Sequence, residues 1–261
     1  MSAMETQAPH DHAQRRAPAL RLNDLTLSYD GHPVVHHLTG EVAQGALLAI
    51  CGPNGGGKST LLKALVGAVP PAGGSVELLA CAPRDLAYLP QAADVDRTFP
   101  IDVFDCVAMG LWRRIGWFGG VSKTQRARVR EAIAAVGLTG FEDRPIGSLS
   151  GGQLQRALFA RLSLQDAPIV LLDEPFNAVD ERTVGELLDM VARWRDEGRT
   201  IIVVSHDFTL VRRVFPQTLL LAREMIAWGD TAQALAPENL LAARRMVEAF
   251  DRQAHECERA A

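Results

Sequence analysis

Three short stretches of this 261-residue chain carry residue types suited to phosphate chemistry. The first, Gly52-Pro53-Asn54-Gly55-Gly56-Gly57-Lys58-Ser59, matches G-x-x-x-x-G-K-[ST] in full. Its glycines let backbone N–H groups converge on phosphate oxygens without Cβ clashes. Lys58 is spaced to reach the β- and γ-phosphates of a nucleotide, and Ser59 to offer a hydroxyl to Mg²⁺. Thr60 brings a second hydroxyl to the same helix start. The second stretch, Ile169-Val170-Leu171-Leu172-Asp173-Glu174, is an apolar run ending in adjacent carboxylates. Acids at the end of a buried strand are costly unless a cation or solvent receives them. Asp173 suits the Mg²⁺ side, and Glu174, at the mouth, suits orienting an attacking water. The third, Leu149-Ser150-Gly151-Gly152-Gln153, is a Gly-rich anion nest before a helical stretch. Two phosphate nests about ninety residues apart are odd for one nucleotide site. They make sense if the second nest serves a nucleotide held by another chain.

These groups need elements that hold them. Ala46–Cys51 is a continuous apolar run, the mark of a strand buried on both faces. A helix from Lys58 to about Val69 follows the glycine loop and stops at Pro70-Pro71. Ile169–Leu172 and Thr200–Ser205 repeat the buried-strand pattern. The helix between them, Glu181–Glu197, has Asp180 as N-cap and Gly198 at its end. Upstream, Leu20, Leu22, Leu25, Leu27 and Tyr29 alternate as a strand up to a turn at Asp30-Gly31, and Val34–Leu38 pairs with it. Short strands are expected at Ser75–Leu79 and Leu86–Leu89. From about Ala92 to Gln165 the character is mostly helical, with a Ser122/Gln125 capping box and a glycine stop at Gly137. Leu219–Ala222 and Met225–Trp228 read as a closing hairpin, and Pro237 opens a last helix. The sum is an α/β core with a mostly parallel sheet interrupted by a helical insertion.

Composition narrows the function. A net charge of -4 offers no global basic field for nucleic acid or anionic lipid. No apolar run approaches the roughly 18 residues that span a bilayer. Residues 1–18 carry charges and no apolar block, so they read as a disordered tail and not a signal peptide. His10 and His12 in that tail read as solvated, with metal binding the alternative. Cys51, Cys81, Cys106 and Cys257 form no CxxC pair and read as reduced thiols of a cytosolic protein, with a zinc site or disulfide as alternatives. Arg113, Arg114, Lys123, Arg126, Arg128 and Arg130 form a basic cluster, read as a solvated helix face or a contact for membrane loops.

Taken together, over about residues 19–235, the motifs resemble the ATPase domain of ABC transporters, whose signature is LSGGQ. The resemblance implies a P-loop NTPase (RecA-like) core with an antiparallel β subdomain and an inserted α-helical subdomain at about 92–165. A C-terminal helix and tail, 236–261, would follow. It implies ATP and Mg²⁺ as cofactors. Tyr29 is similar to the residue that stacks on adenine. Gln91, in Tyr88-Leu89-Pro90-Gln91, is similar to the glutamine that senses Mg²⁺ and couples to the membrane partner. His206 is similar to the switch histidine at the γ-phosphate. Asn177-Ala178-Val179-Asp180 takes the place of the loop that crosses the dimer interface. It departs from the commoner Ser-Ala-Leu-Asp, so only Asp180 carries over. The family packs two subunits head to tail, with each ATP between the phosphate loop of one and Ser150, Gly151, Gly152 and Gln153 of the other.

Thr98-Phe99-Pro100-Ile101-Asp102-Val103, Val107-Ala108-Met109-Gly110 and Gly116-Trp117-Phe118 resemble the zinc/manganese importer branch, leaning towards zinc. That implies a multi-span permease, indirectly a periplasmic metal-binding protein, and a place at the cytoplasmic face of the inner membrane. Manganese, iron-chelate or cobalamin import stand as alternatives. A non-transport ABC ATPase acting on nucleic acid is a rival that the acidic charge and single ATPase domain argue against. A nucleotide sensor without turnover is another, opposed by the intact Glu174 and His206.

Overall fold

The computed structural model describes residues 16–29, 32–115, 120–177 and 179–257. His10, His12, the Asp30-Gly31 turn, Gly116-Trp117-Phe118 and Ala178 lie outside them. Two long strands, β1 (Pro18–Tyr29) and β2 (His32–Ala43), pair antiparallel. β2 is far longer than the expected 34–38. It buries Val35, Leu38 and Val42 while His37, Thr39 and Glu41 face water, and those polar residues conceal its length from a hydrophobicity reading.

β3 (Leu47–Cys51) feeds the glycine loop and then α1 (Lys58–Leu65). The helix ends before the expected Val69. Gly67 takes φ 77°, its N–H bonds the Ala64 carbonyl at 3.0 Å, and the Ala68 N–H bonds that of Lys63 at 2.8 Å. This paired closure relies on a left-handed residue, which Gly adopts without strain. β4 (Gly73–Leu78) joins β1 to complete an antiparallel sheet in the order β2-β1-β4.

After β5 (Ala87–Leu89) the chain is helical through α2 (Val103–Ala108), α3 (Trp112–Ile115), α4 (Lys123–Ala135) and α5 (Gly151–Ser163). The capping box of Ser122 and Gln125 opens α4, and Gly137, at φ 69°, closes it. The basic cluster here is partly engaged: Arg113 pairs with Asp85, Arg128 with Asp166 at 3.5 Å, and Arg126 lies 5.5 Å from the Phe104 ring. Strand–helix alternation resumes with β6 (Ile169–Asp173), α6 (Glu181–Asp196), β7 (Thr200–Val204) and α7 (Phe208–Val214). The hairpin β8 (Gln217–Ala222) and β9 (Glu224–Asp230), then α8 (Thr231–Ala234) and α9 (Pro237–Cys257), complete the described chain.

The larger sheet runs β5-β6-β7-β3-β8-β9, parallel except for β9. β3, β6 and β7 are buried at every residue. Their side chains alternate between two cores, as strand geometry demands. Leu47, Ala49, Val170, Leu172, Ile201 and Val203 face the helical side, where Phe159 stacks on Trp194 at 5.5 Å. Leu48, Ile50, Ile169, Leu171, Ile202 and Val204 pack towards α1 and the antiparallel sheet. Each fully buried aliphatic side chain contributes about 1.5–3 kcal/mol, so the sheet is a stiff platform for its edge. Among the described residues no helix is long and apolar enough to cross a membrane, and no cluster of three or more His, Cys, Asp and Glu side chains is placed to hold a metal ion. Cys51, Cys81 and Cys106 are free thiols.

Candidate active site

In open α/β sheets ligands sit beyond the carboxyl ends of the strands. Here β3 delivers the glycine loop, β6 delivers Asp173 and Glu174, β7 delivers His206 two residues on, and β5 delivers Gln91. The loop is wedged in place. A Cβ on Gly52 (φ 149°) would lie 1.9 Å from the Leu221 carbonyl oxygen of β8. One on Gly57 (φ 89°) would meet Val35 Cγ2 at 2.5 Å and the Val34 oxygen at 2.7 Å. Only glycine fits either place. Lys58 is 6% exposed and donates to the Gly52 and Pro53 carbonyls at 3.0 and 2.8 Å. Burial pushes its pKa down, while Glu174, Cys51 and Asp173 favour its charge. The ammonium is therefore held at the loop's inner rim, where a phosphate would outbid two neutral carbonyls.

Ser59, at the second position of α1, donates to Asp173 Oδ1 at 3.1 Å, and Gln91 Nε2 reaches Ser59 Oγ at 3.3 Å. Asp173 is 1% exposed and its Oδ2 has no hydrogen-bond partner. Burial pushes its pKa up, against bonds from Ser59 and Gln91. A buried carboxylate oxygen without a partner, beside a hydroxyl and an amide, suits a small hard cation. The residues therefore fit Mg²⁺. Thr60 is buried in the first turn of α1.

Glu174 takes φ 49°, a left-handed conformation that is rare for a side-chain-bearing residue and clusters at functional sites. Its N–H donates to the Val204 carbonyl at 3.1 Å. Oε1 lies 4.0 Å from His206 Nδ1, and Oε2 accepts from Asn177 Nδ2. A cavity before these groups is lined by Gly52, Pro53, Asn54, Glu174 and His206, with Arg244 of α9 on its wall. Sequence reasoning missed α9 here. The signal was available in the spacing of Leu240, Ala243 and Arg244, which puts them on one helical face.

The second nest is built differently. Ser150 caps α5: its Oγ accepts from the Gln153 N–H at 3.3 Å, and its own N–H donates to Gln153 Oε1 at 2.9 Å. Ser150 and Gly151 are exposed. Asp180 caps α6 through the Thr183 N–H at 2.9 Å and lies beside Gly152. Among the described residues no hydrogen bond joins Ser150–Gln153 to the glycine loop. Tyr29 closes β1 opposite His32.

Residues 97–104 run alongside 142–149. The Ile146 N–H donates to Ile101 O at 3.0 Å, the Val103 N–H to Arg144 O at 3.0 Å, and the Phe104 N–H to Glu142 O at 2.9 Å. Asp102 and Pro145 form a β-bridge, and the Arg97 guanidinium donates to the Leu149 carbonyl. The segment after Gln91 is thus laced to the one that presents Ser150.

The family model for ABC transporters matches residues 35–177, more than half of the chain. The zinc transport system ATP-binding protein TroB of Treponema pallidum is 42% identical over 226 residues, covering 85% of each chain. The manganese transport system ATP-binding protein MntB of Listeria monocytogenes is 39% identical over 225 residues, covering 85% of this chain and 94% of its own. Among solved structures, an inward-facing ABC transporter described as metal-chelate type superposes with a TM-score of 0.77 at 29% identity, covering 87% of this chain and 89% of that one. An ATP-binding cassette captured as a dimer with ADP and phosphate gives 0.72 at 22% identity, over 81% and 98%, a likeness of fold. With the glycine loop, the carboxylate pair and the second nest all in place, the chain belongs to the ABC transporter family, as one of its ATP-binding, ATP-hydrolysing subunits.

Proposed function

We propose that this subunit couples ATP binding and hydrolysis to import of a divalent transition metal ion, zinc ahead of manganese. The convergence of Lys58, Ser59, Gln91, Asp173, Glu174 and His206 at one sheet edge carries the ATPase half of the reading. The zinc and manganese relatives carry the cargo. Residues 52–60 cradle the triphosphate, and Tyr29 stacks on the base. Ser59, Asp173 and Gln91 would hold Mg²⁺, which would neutralise phosphate charge. Glu174 orients the attacking water, and His206 stands at the γ-phosphate. Ser150, Gly151, Gly152 and Gln153 close on the nucleotide of a second copy, with Asp180 at the crossing. The γ-phosphate bridges the copies, so ATP favours the closed dimer and ADP does not.

The ATPase unit spans 19–235, with its helical part at about 92–165, the tail at 1–18 and a C-terminal helix and tail at 236–261. A multi-span permease holds the dimer at the cytoplasmic face of the inner membrane and receives metal from a periplasmic metal-binding protein. The chain's net charge of -4 gives nucleic acid no purchase. Radioactive zinc and manganese uptake in cells with the native or Lys58→Ala subunit tests the reading. Zinc uptake is expected to fall with Lys58→Ala. Loss of manganese uptake alone would move the cargo to manganese, and loss of neither would end the metal reading.

A further inference from the structure

We infer that Asn177 is a positioning residue for Glu174: its side-chain amide holds one carboxylate oxygen so that the other faces the reacting phosphate. The inference rests on Glu174 acting on the water, as proposed above. Asn177 stands where the family more often has serine. Its Nδ2 donates to Glu174 Oε2, and its backbone N–H donates to the Glu174 carbonyl at 3.3 Å. Both ends of Glu174 are thereby gripped by one residue, while Glu174 itself sits at φ 49°. The remaining oxygen, Oε1, lies on the His206 side at 4.0 Å. Glu174 and His206 line one cavity with Gly52, Pro53 and Asn54 of the phosphate loop.

A glutamate has several rotors, and each orientation away from the water is lost time. A charge-assisted bond to Oε2 removes that freedom before the substrate arrives. Asparagine's amide projects one atom beyond a serine hydroxyl, so a serine at this position would not make the same bond in the same place. Because the segment carrying Asn177 leads to Asp180 and the α6 start, the grip is tied to the part of the chain expected at the dimer crossing.

The test is steady-state phosphate release by the full chain with Mg²⁺ and ATP, comparing wild type, Asn177→Ala and Asn177→Gln. Single-turnover hydrolysis is also compared in Glu174→Ala with and without Asn177→Ala. The expected result for Asn177→Ala is a kcat loss of about 10-fold with KM for ATP unchanged. Partial recovery is expected in Asn177→Gln, which keeps the amide. In the Glu174→Ala background, where there is no carboxylate to hold, removing Asn177 is expected to change nothing further. Unchanged or raised kcat in Asn177→Ala, a change confined to KM, or the same loss without Glu174 would each overturn the inference. A wild-type chain that releases no phosphate would instead bring down the proposed function, and this inference with it.

Discussion

The two phosphate nests share a chemistry and differ in everything around it. The loop at 52–59 is walled by β2 and β8, its lysine is 6% exposed, and its serine is already bonded to Asp173. The nest at 150–153 stands in the open, its polar groups occupied only with each other. The first site can grip a nucleotide from one chain, because its donors and its carboxylates arrive on strands of one sheet. The second has donors, a helix terminus and the Asp180 carboxylate beside Gly152, but among the described residues no lysine is hydrogen-bonded at it as Lys58 is at the first. A capped helix start satisfies its own backbone, which is what the proposed half-site would need before a partner arrives. The contrast teaches that completeness within one fold and readiness for a partner are written in burial as much as in residue type.

The largest way to break the contrast is Lys58→Ala, which removes the buried ammonium bonded to the Gly52 and Pro53 carbonyls. ATP hydrolysis should drop by about 100-fold or more at any protein concentration, as measured by phosphate release. Glu174→Gln should lower turnover by about 100-fold while nucleotide binding persists, and that variant should dimerise with Mg²⁺–ATP by sedimentation velocity. If it turned over like wild type, Glu174 would lose its role. Ser150→Ala should act on the shared site alone. ATP binding to the dilute monomer stays intact, and the steep rise of activity with protein concentration becomes shallower, by roughly 10-fold in rate. Loss of the N-cap bond should also cost the fold about 1 kcal/mol, readable in thermal melts. The smallest effect sharpens the comparison instead of breaking it. Burial pushes the Cys51 thiol up to about 12, so at pH 8 almost no thiolate exists there and the native chain should resist alkylation at that residue. An introduced Ser150→Cys should alkylate quickly, and in the Glu174→Gln background ATP should protect it.

Much of this arrangement is legible in the sequence because its physics is local. Gly52 to Ser59 must be a loop between strand and helix, and Asp173-Glu174 must end a buried strand, whatever the rest of the chain does. Gly137 and Gly198 announce helix ends through the same left-handed closure that Gly67 makes, and reading Gly67 the same way would have ended α1 on time. What stayed hidden depends on distance across the fold. The length of β2 is set by pairing with β1, since its outward residues are polar. The place of Arg244 beside the cavity depends on how α9 docks, and the bond from Asn177 to Glu174 depends on a turn that no spacing rule describes.

The lacing of 97–104 to 142–149 has a mechanical meaning. Phe99, within the first of these segments, is 57% exposed. Three backbone hydrogen bonds and the Arg97 guanidinium join the segment around Phe99 to the one that ends just before Ser150. The start of α5 is thus tied to the segment that follows Gln91. A load on either segment is shared with the other through those bonds, by a route that does not pass through the phosphate loop.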